Sequence, residues 1–356
     1  MSEMFNKDPF SAFEALEAAQ WLAFAPLAFQ ATAVMLDKGL LSALEQVGEK
    51  GASLEELVER TGLSSYAVRV LMEAALGLRI IWRSEGRYYL GRLGWVLLRN
   101  EMTKINFNFT KDVCYQAAAH LGEALTEKYP AGLRALGHWP TIYEGLSNLP
   151  EPALSSWHEF DHFYSNQAFD VAINEFQDQG SCRLLDVGCN TGKWAQLFLS
   201  RYPTATVGLV DLKPQLKKAK KRLEESELIE RAYFHEVDVL QSNSELPSGY
   251  DVIWMSQFLD CFSDEQIISI LKKAVRALND GGQIYILELF WDRQRFEAAA
   301  LSLQMTSLYF TCVANGNSQM YESAVFIELV RRAGLKIEQI TDGVGGHHTL
   351  LRCVPK

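Results

Sequence analysis

Apolar positions keep a helical period through the first hundred residues, then give way in the second half to apolar runs alternating with amphipathic stretches. A helix is predicted over about Ala12 to Leu36, leading into the apolar run Leu40-Leu41-Ser42-Ala43-Leu44. Ser53-Leu54-Glu55-Glu56 has the S-x-x-E spacing of a capping box, and Gly62 stands where a helix C-cap would fall. A further helix opens at Ser64 or Ser65, with Val68, Leu71, Met72, Ala75 and Leu76 on one face. Ile80–Arg83 and Arg87–Leu90 flank Ser84-Glu85-Gly86, a hairpin signal, so helix, helix and hairpin make a winged-helix pattern. Residues 101–180 read as irregular helix rich in aromatics and broken by Pro140, Pro150 and Pro152. Beyond them, Arg183–Val187, Thr206–Val210, Ala232–Glu236, Asp251–Met255 and Gln283–Leu287 are strand candidates, separated by helical runs such as Asp264–Leu278. That alternation predicts an α/β class, a Rossmann-like doubly wound sheet. A tail hairpin, Leu335–Thr341 and His348–Cys353, would add an antiparallel strand at the sheet's end. The expected organisation is therefore a winged-helix-like domain at 1–100, a helical linker at 101–180 and a ligand-binding domain at 181–356.

Composition narrows the function. Of the 356 residues 48% are hydrophobic and 22% charged, and the net charge of −10 disfavours nucleic acid and acidic membrane as partners. The residues Met1–Phe10 lack the basic flank and apolar core of a signal peptide. The most apolar stretch, Trp21–Leu36, carries Pro26, Gln30 and Thr32; it reads as a buried helix too short to span a bilayer. Six scattered cysteines without a C-x-x-C pair predict reduced thiols, no metal cluster and a cytoplasmic location.

The chemistry concentrates at Leu184-Leu185-Asp186-Val187-Gly188-Cys189-Asn190-Thr191-Gly192. A buried strand ends in a glycine-bearing turn that opens a helix, which lets backbone approach a ligand closely. The spacing is G-x-x-x-G; a dinucleotide loop would have G-x-G-x-x-G, and Asn190 stands at its second glycine. A bare strand-to-helix turn is the competing reading. Val207–Asp211 is a second strand ending in an acid, where a carboxylate can accept from both ribose hydroxyls and repel a 2′-phosphate. Asp238 follows the third strand, where an acid could accept from an adenine amino group or merely cap a turn.

The order D-V-G-x-x-x-G, V-D-L, V-D-V, Y-D-V-I-W-M and G-G-Q-I-Y-I-L-E resembles the class I S-adenosylmethionine-dependent methyltransferases. It resembles most closely the O-methyltransferases of the caffeate, acetylserotonin and polyketide type. The resemblance covers almost the whole chain and implies a winged-helix dimerisation domain, a homodimer, S-adenosyl-L-methionine as cofactor and a small aromatic or polyketide-like methyl acceptor. By the same resemblance Asp186, Gly188 and Gly192 surround the methionine part of the cofactor. Asp211 with Leu212 holds the ribose, Asp238 with Val239 the adenine edge, and Phe262 lies near the adenine.

One position departs from the family. Where its members carry a histidine that deprotonates the acceptor, this chain has Asp260, in Leu259-Asp260-Cys261-Phe262-Ser263-Asp264-Glu265; the supporting glutamate is matched by Glu288. An ordinary carboxylate near pKa 4 is a poor base for a phenol near 10 unless burial raises it. Asp260 is thus a burial-tuned base, an orienting group for an acidic or amine acceptor, or the mark of a relative that has lost methyl transfer; or the base comes from elsewhere, with His158 and His162 the nearest alternative. His158 and His162, one helical turn apart, and Phe163 beside them are candidates for the acceptor pocket; no metal is expected there without a third ligand. The competing function is a winged-helix regulator that senses a ligand. Its recognition helix would offer Arg69 offset by Glu73, and its hairpin Arg83 and Arg87, too few cations for phosphate contacts.

Overall fold

The computed structural model describes residues 5–176 and 182–356. The chain divides into two compact units, Phe5–Val113 and Cys114–Lys356. The expected boundary at 180/181 lies outside the described residues.

The first unit holds α1 (Ala12–Asp37), α2 (Leu40–Val47), α3 (Leu54–Thr61), α4 (Ser65–Gly77), β1 (Ile81–Ser84), β2 (Arg87–Leu90), α5 (Arg92–Arg99) and α6 (Glu101–Phe109). Its local signals act as read. Ser53 and Glu56 close a reciprocal cap on α3, at 2.7 Å and 3.2 Å, and Gly62 ends that helix at φ 67°. Ser64 caps α4. Met35, Leu41, Leu57, Val68, Met72 and Tyr88 are the centre of the core. The hairpin is tied down by Arg87, which donates to the carbonyls of Lys50 and Gly51 and pairs with Glu56 at 2.6 Å. An arginine so engaged is not offered to a phosphate, which removes support from the regulator reading.

The reading of Trp21–Leu36 as a buried helix is corrected. The helix, α1, runs 26 residues and is long and apolar enough by length and composition to cross a membrane, but only Thr32, Ala33 and Met35 are buried. Apolar residues surround its circumference, so the unit covers one end of it and leaves Phe13, Leu16, Leu22, Phe24 and Leu27 exposed.

The second unit contains α7 (Leu121–Glu127), α8 (Ile142–Gly145), α9 (Ala153–Ala172), β3 (Arg183–Val187), α10 (Lys193–Arg201), β4 (Thr206–Asp211) and α11 (Lys213–Glu225). It continues with β5 (Ala232–Glu236), β6 (Tyr250–Ser256), α12 (Asp264–Ala277), β7 (Leu278–Glu288), α13 (Glu297–Tyr309), α14 (Ser323–Arg332), β8 (Leu335–Val344) and β9 (His348–Pro355). Among the described residues seven strands form one sheet in the order β5-β4-β3-β6-β7-β9-β8. The first five are parallel; β9 pairs antiparallel with β7 and with β8. Both faces are covered, as near-continuous apolar strands require. On one face Trp194 of α10 stacks on Trp254 of β6, with centroids 3.9 Å apart, among Phe169, Phe176 and Phe198. On the other, Ile267, Ile270 and Leu271 of α12 and Phe326 and Leu329 of α14 meet Leu185, Val187 and Ile253.

Chain order reverses between β3 and β6, so their C-terminal ends flank a crevice, the usual ligand position in such sheets. Replacing Trp254 by alanine is expected to cost about 3–5 kcal/mol of stability through the lost burial and the cavity left between Trp194 and Phe176. Denaturant unfolding of the purified variant measures it.

Candidate functional site

The glycine loop after β3 meets the end of β6 across this crevice. Gly188 has φ 77°, and a Cβ there would lie 2.3 Å from the Phe258 ring. Gly192, at φ 72°, caps α10, and its Cβ would lie 2.9 Å from that of Ala219. Asn190 between them also takes a left-handed backbone, φ 48°. Glycine at both ends lets the loop fold flat against β6 and α11, so that its backbone lines the crevice.

Three acids stand at the ends of successive strands. Asp186 is 2% exposed on β3, and its Oδ2 has no hydrogen-bond partner. Burial first, then the nearby Asp211, hold its pKa well above the carboxylate range. Asp211, closing β4, accepts from the amides of Asn190 at 2.8 Å and Leu212 at 2.7 Å. Burial lifts it to about 6 against those two bonds. Asp238 lies two residues past β5; it accepts from the Leu240 amide at 2.9 Å and is half-buried. Leu212, the N-cap of α11, is 42% exposed, while Val239 is buried in the core beside α12.

Across the crevice β6 leads into a short 3-10 turn, Leu259–Cys261. Glu288, at the end of β7 and 1% exposed, accepts through Oε1 from the amides of Phe258 at 3.1 Å and Leu259 at 2.8 Å; its Oε2 has no partner. The glutamate thus holds the backbone of the turn. Burial and then Asp260 keep its pKa well above the ordinary value. Asp260 on that turn is 5% exposed, and burial raises it to about 7, helped by Asp161. The Cys261 thiol donates to Asp260 at 3.5 Å. The Phe262 ring packs edge-on against Phe258 at 4.9 Å. A second layer fixes the turn: Asn315 donates to the Cys261 carbonyl at 2.7 Å, and Tyr321 to the Phe262 carbonyl at 2.8 Å.

Helix α9 places its predicted residues differently from one another. His158 and His162 stack at 5.9 Å, and burial, with Lys218 close to both and Lys193 and Arg222 close to His162, lowers their pKa values. Phe163 follows, partly buried. The helix position that meets the glycine loop belongs to Asp161, whose Oδ2 accepts from Asn190 Nδ2 at 3.4 Å and whose pKa burial raises to about 6. One turn earlier Trp157 donates to the Tyr309 hydroxyl at 2.8 Å. Tyr143 brings a buried hydroxyl to the same cluster, beside Cys261. Sequence reasoning missed Asp161 because histidines flank it; its one signal was the four-residue step from Trp157 along a helix. Among the described residues no group of three His, Cys, Asp or Glu side chains is arranged to hold a metal ion.

Comparison with known proteins fits this arrangement. Residues 17–88 match a family model described as a Dimerisation2-like domain, and residues 163–336 one described as an O-methyltransferase domain. The L-tyrosine C(3)-methyltransferase of Streptomyces lavendulae is 23% identical over 91% of this chain and 87% of its own. Among solved structures, the apo S-adenosylmethionine-dependent methyltransferase SibL superposes with a TM-score of 0.71, at 24% identity, over 96% of this chain and all of the other. The O-methyltransferase NcsB1 of neocarzinostatin biosynthesis, in complex with S-adenosylmethionine and 2-hydroxy-5-methyl naphthoic acid, gives 0.65 at 18% identity, over 93% of this chain and 96% of its own.

Gly188→Ala is expected to weaken donor binding at least tenfold, since the new methyl must displace the Phe258 ring at a backbone angle that costs alanine about 1 kcal/mol or more. Calorimetric titration with S-adenosylhomocysteine measures this; an unchanged affinity would separate the loop from the cofactor.

Proposed function

Because the chain belongs to the S-adenosylmethionine-dependent O-methyltransferase family, we propose that it methylates a hydroxyl on a small aromatic acceptor, with Asp260 as the base. The observation that carries this reading is the buried Asp260 carboxyl, raised to about 7, on a turn held by Glu288 at the crevice edge.

The donor fits the residues present. Its ammonium, ribose hydroxyls and adenine amino group are all hydrogen-bond donors, and the crevice offers acceptors in matching order: Asp186, Asp211 and Asp238 on neighbouring strands. The unpartnered Oδ2 of Asp186 suits an ammonium, which would also draw that acid back into its ionised form. Gly188 and Gly192 let the loop backbone line the place of the methionine chain, Leu212 and Val239 flank ribose and adenine, and Phe262 packs near the adenine. When bound, S-adenosylmethionine supplies an electrophilic methyl group.

The chain's own residues do the rest. Asp260 takes the proton from the acceptor hydroxyl at its Oδ atoms. A base near pKa 7 closes about half of the gap between an ordinary carboxylate and a phenol near 10. Glu288, its carboxyl held above the ordinary value by burial and then by Asp260, fixes the turn through the amides of Phe258 and Leu259. Trp157, Tyr143 and Tyr309 supply aromatic walls for a ring-shaped acceptor, and His158, His162 and Phe163 lie on the helix that borders it. A phenol acidified by a neighbouring carbonyl or second hydroxyl suits this base best.

The same reading makes the protein a homodimer through α1, whose exposed Leu22, Phe24 and Leu27 lie within the Dimerisation2-like segment. The reduced-thiol composition supports a cytoplasmic location, and all six cysteines are free.

Titrating dialysed protein with S-adenosylmethionine, S-adenosylhomocysteine and NAD tests the donor; micromolar binding of the first two alone is expected, and no adenosyl binding would end the reading. With an acceptor found from a phenol panel, product NMR must place the methyl on oxygen. Asp260→Asn should then lower kcat by about 10²-fold or more. In the parent enzyme kcat/KM should rise with pH through about 7, because the base acts only when ionised; a profile flat from pH 6 to 8 would exclude Asp260. Leu22→Glu with Leu27→Glu should convert a dimer into a monomer by light scattering, and a parent protein already monomeric at micromolar concentration would remove the dimer.

A further inference from the structure

Lys273 is 4% exposed, on the face of α12 that carries Ile267, Ile270 and Leu271 into the core. A buried ammonium is costly unless each of its three N–H groups finds an acceptor. Here each does: the Val239 carbonyl at 2.9 Å, the Gln241 carbonyl at 2.7 Å and Ser244 Oγ at 2.8 Å. All three belong to one loop, the residues that follow Asp238. The loop is further wound on itself: the Gln241 amide donates to the Asp238 carbonyl, the Leu240 amide to the Asp238 carboxylate, and the Ser244 amide to the Gln241 carbonyl. Between its apolar anchors at Val239 and Leu246 the loop is largely exposed, with Leu240 49% exposed, so apolar packing does little to hold residues 240–244.

We propose that Lys273 is a positioning residue for donor recognition: by gathering the Val239 and Gln241 carbonyls and the Ser244 hydroxyl around its ammonium, it sets the place and orientation of the Asp238 carboxylate that reads the adenine amino group. The inference rests on the donor-binding reading above. It also links two ends of the site, since α12 starts with the Ser263 cap one residue after Phe262, directly behind the turn that bears Asp260. One helix thus indexes both the adenine loop and the base.

The test is selectivity for the purine. The probes are S-adenosylhomocysteine and S-inosylhomocysteine, in which an oxo group replaces the 6-amino group, titrated into the parent protein, Lys273→Met, Ser244→Ala and Asp238→Ala, with circular dichroism to check folding. The parent should prefer the adenosyl compound at least tenfold. Lys273→Met should lose at least tenfold in affinity for it and reduce the preference to near unity; Ser244→Ala, which removes one of three contacts, should reduce it in part. A general loss of structure would instead weaken both ligands equally and keep their ratio, and that result would overturn the proposal. So would an unchanged ratio in Lys273→Met while Asp238→Ala loses it. If Lys273→Met does not fold, an unchanged ratio in Ser244→Ala overturns the proposal. An unchanged ratio in Asp238→Ala would remove the adenine assignment itself, separately from Lys273.

Discussion

Everything at the site depends on how closely two strand ends approach each other. Where the strand order reverses, the loop after β3 and the segment after β6 come together with no space for a side chain at Gly188, whose missing Cβ would lie 2.3 Å from the Phe258 ring. That contact sets the glycine loop against the segment that leads into the Asp260 turn, and it makes a crevice out of two turns distant in sequence. Parallel pairing fixes the approach, because β3 registers with β6 from Leu184 to Val187 and no freedom remains at the strand ends.

The second feature is how the acids are kept. Asp161, Asp186, Asp211, Asp260 and Glu288 all have raised pKa values, and in each case burial is the leading cause. A fold that only needed stability would pair such groups with cations or replace them with apolar residues. Here Lys193, Lys218 and Arg222 gather near His158 and His162, beside Asp161. The cost of burying Asp186, whose Oδ2 accepts no hydrogen bond, is one that a cationic ligand would offset, which is how a preorganised site recognises charge.

Helix α1 shows a different economy. It is well capped by Ser11 and Glu14, yet most of its apolar surface finds no cover in its own unit. A sequence window can show that a helix is apolar enough to be buried; it carries no information about whether the rest of its unit covers it.

The sequence by itself determined the local decisions. Caps at Ser53, Ser64 and Gly62, the strand limits at Arg183–Val187 and Ala232–Glu236, and the glycines at 188 and 192 are set by spacing and backbone preference within a few residues. The chain order of Asp186, Asp211 and Asp238 likewise followed once the strands were placed, since each acid sits at or just past a strand end. Tertiary structure decided whatever depends on packing between distant segments. It gave Asp260 its burial, and turned Glu288 into a brace for the turn backbone rather than a partner of its side chain. It chose Asp161 over the neighbouring histidines to face the glycine loop, and joined Lys273 to a loop some thirty residues earlier. Such outcomes rest on solvent exclusion and on contacts across the sheet, and neither is a property of any stretch of chain taken alone.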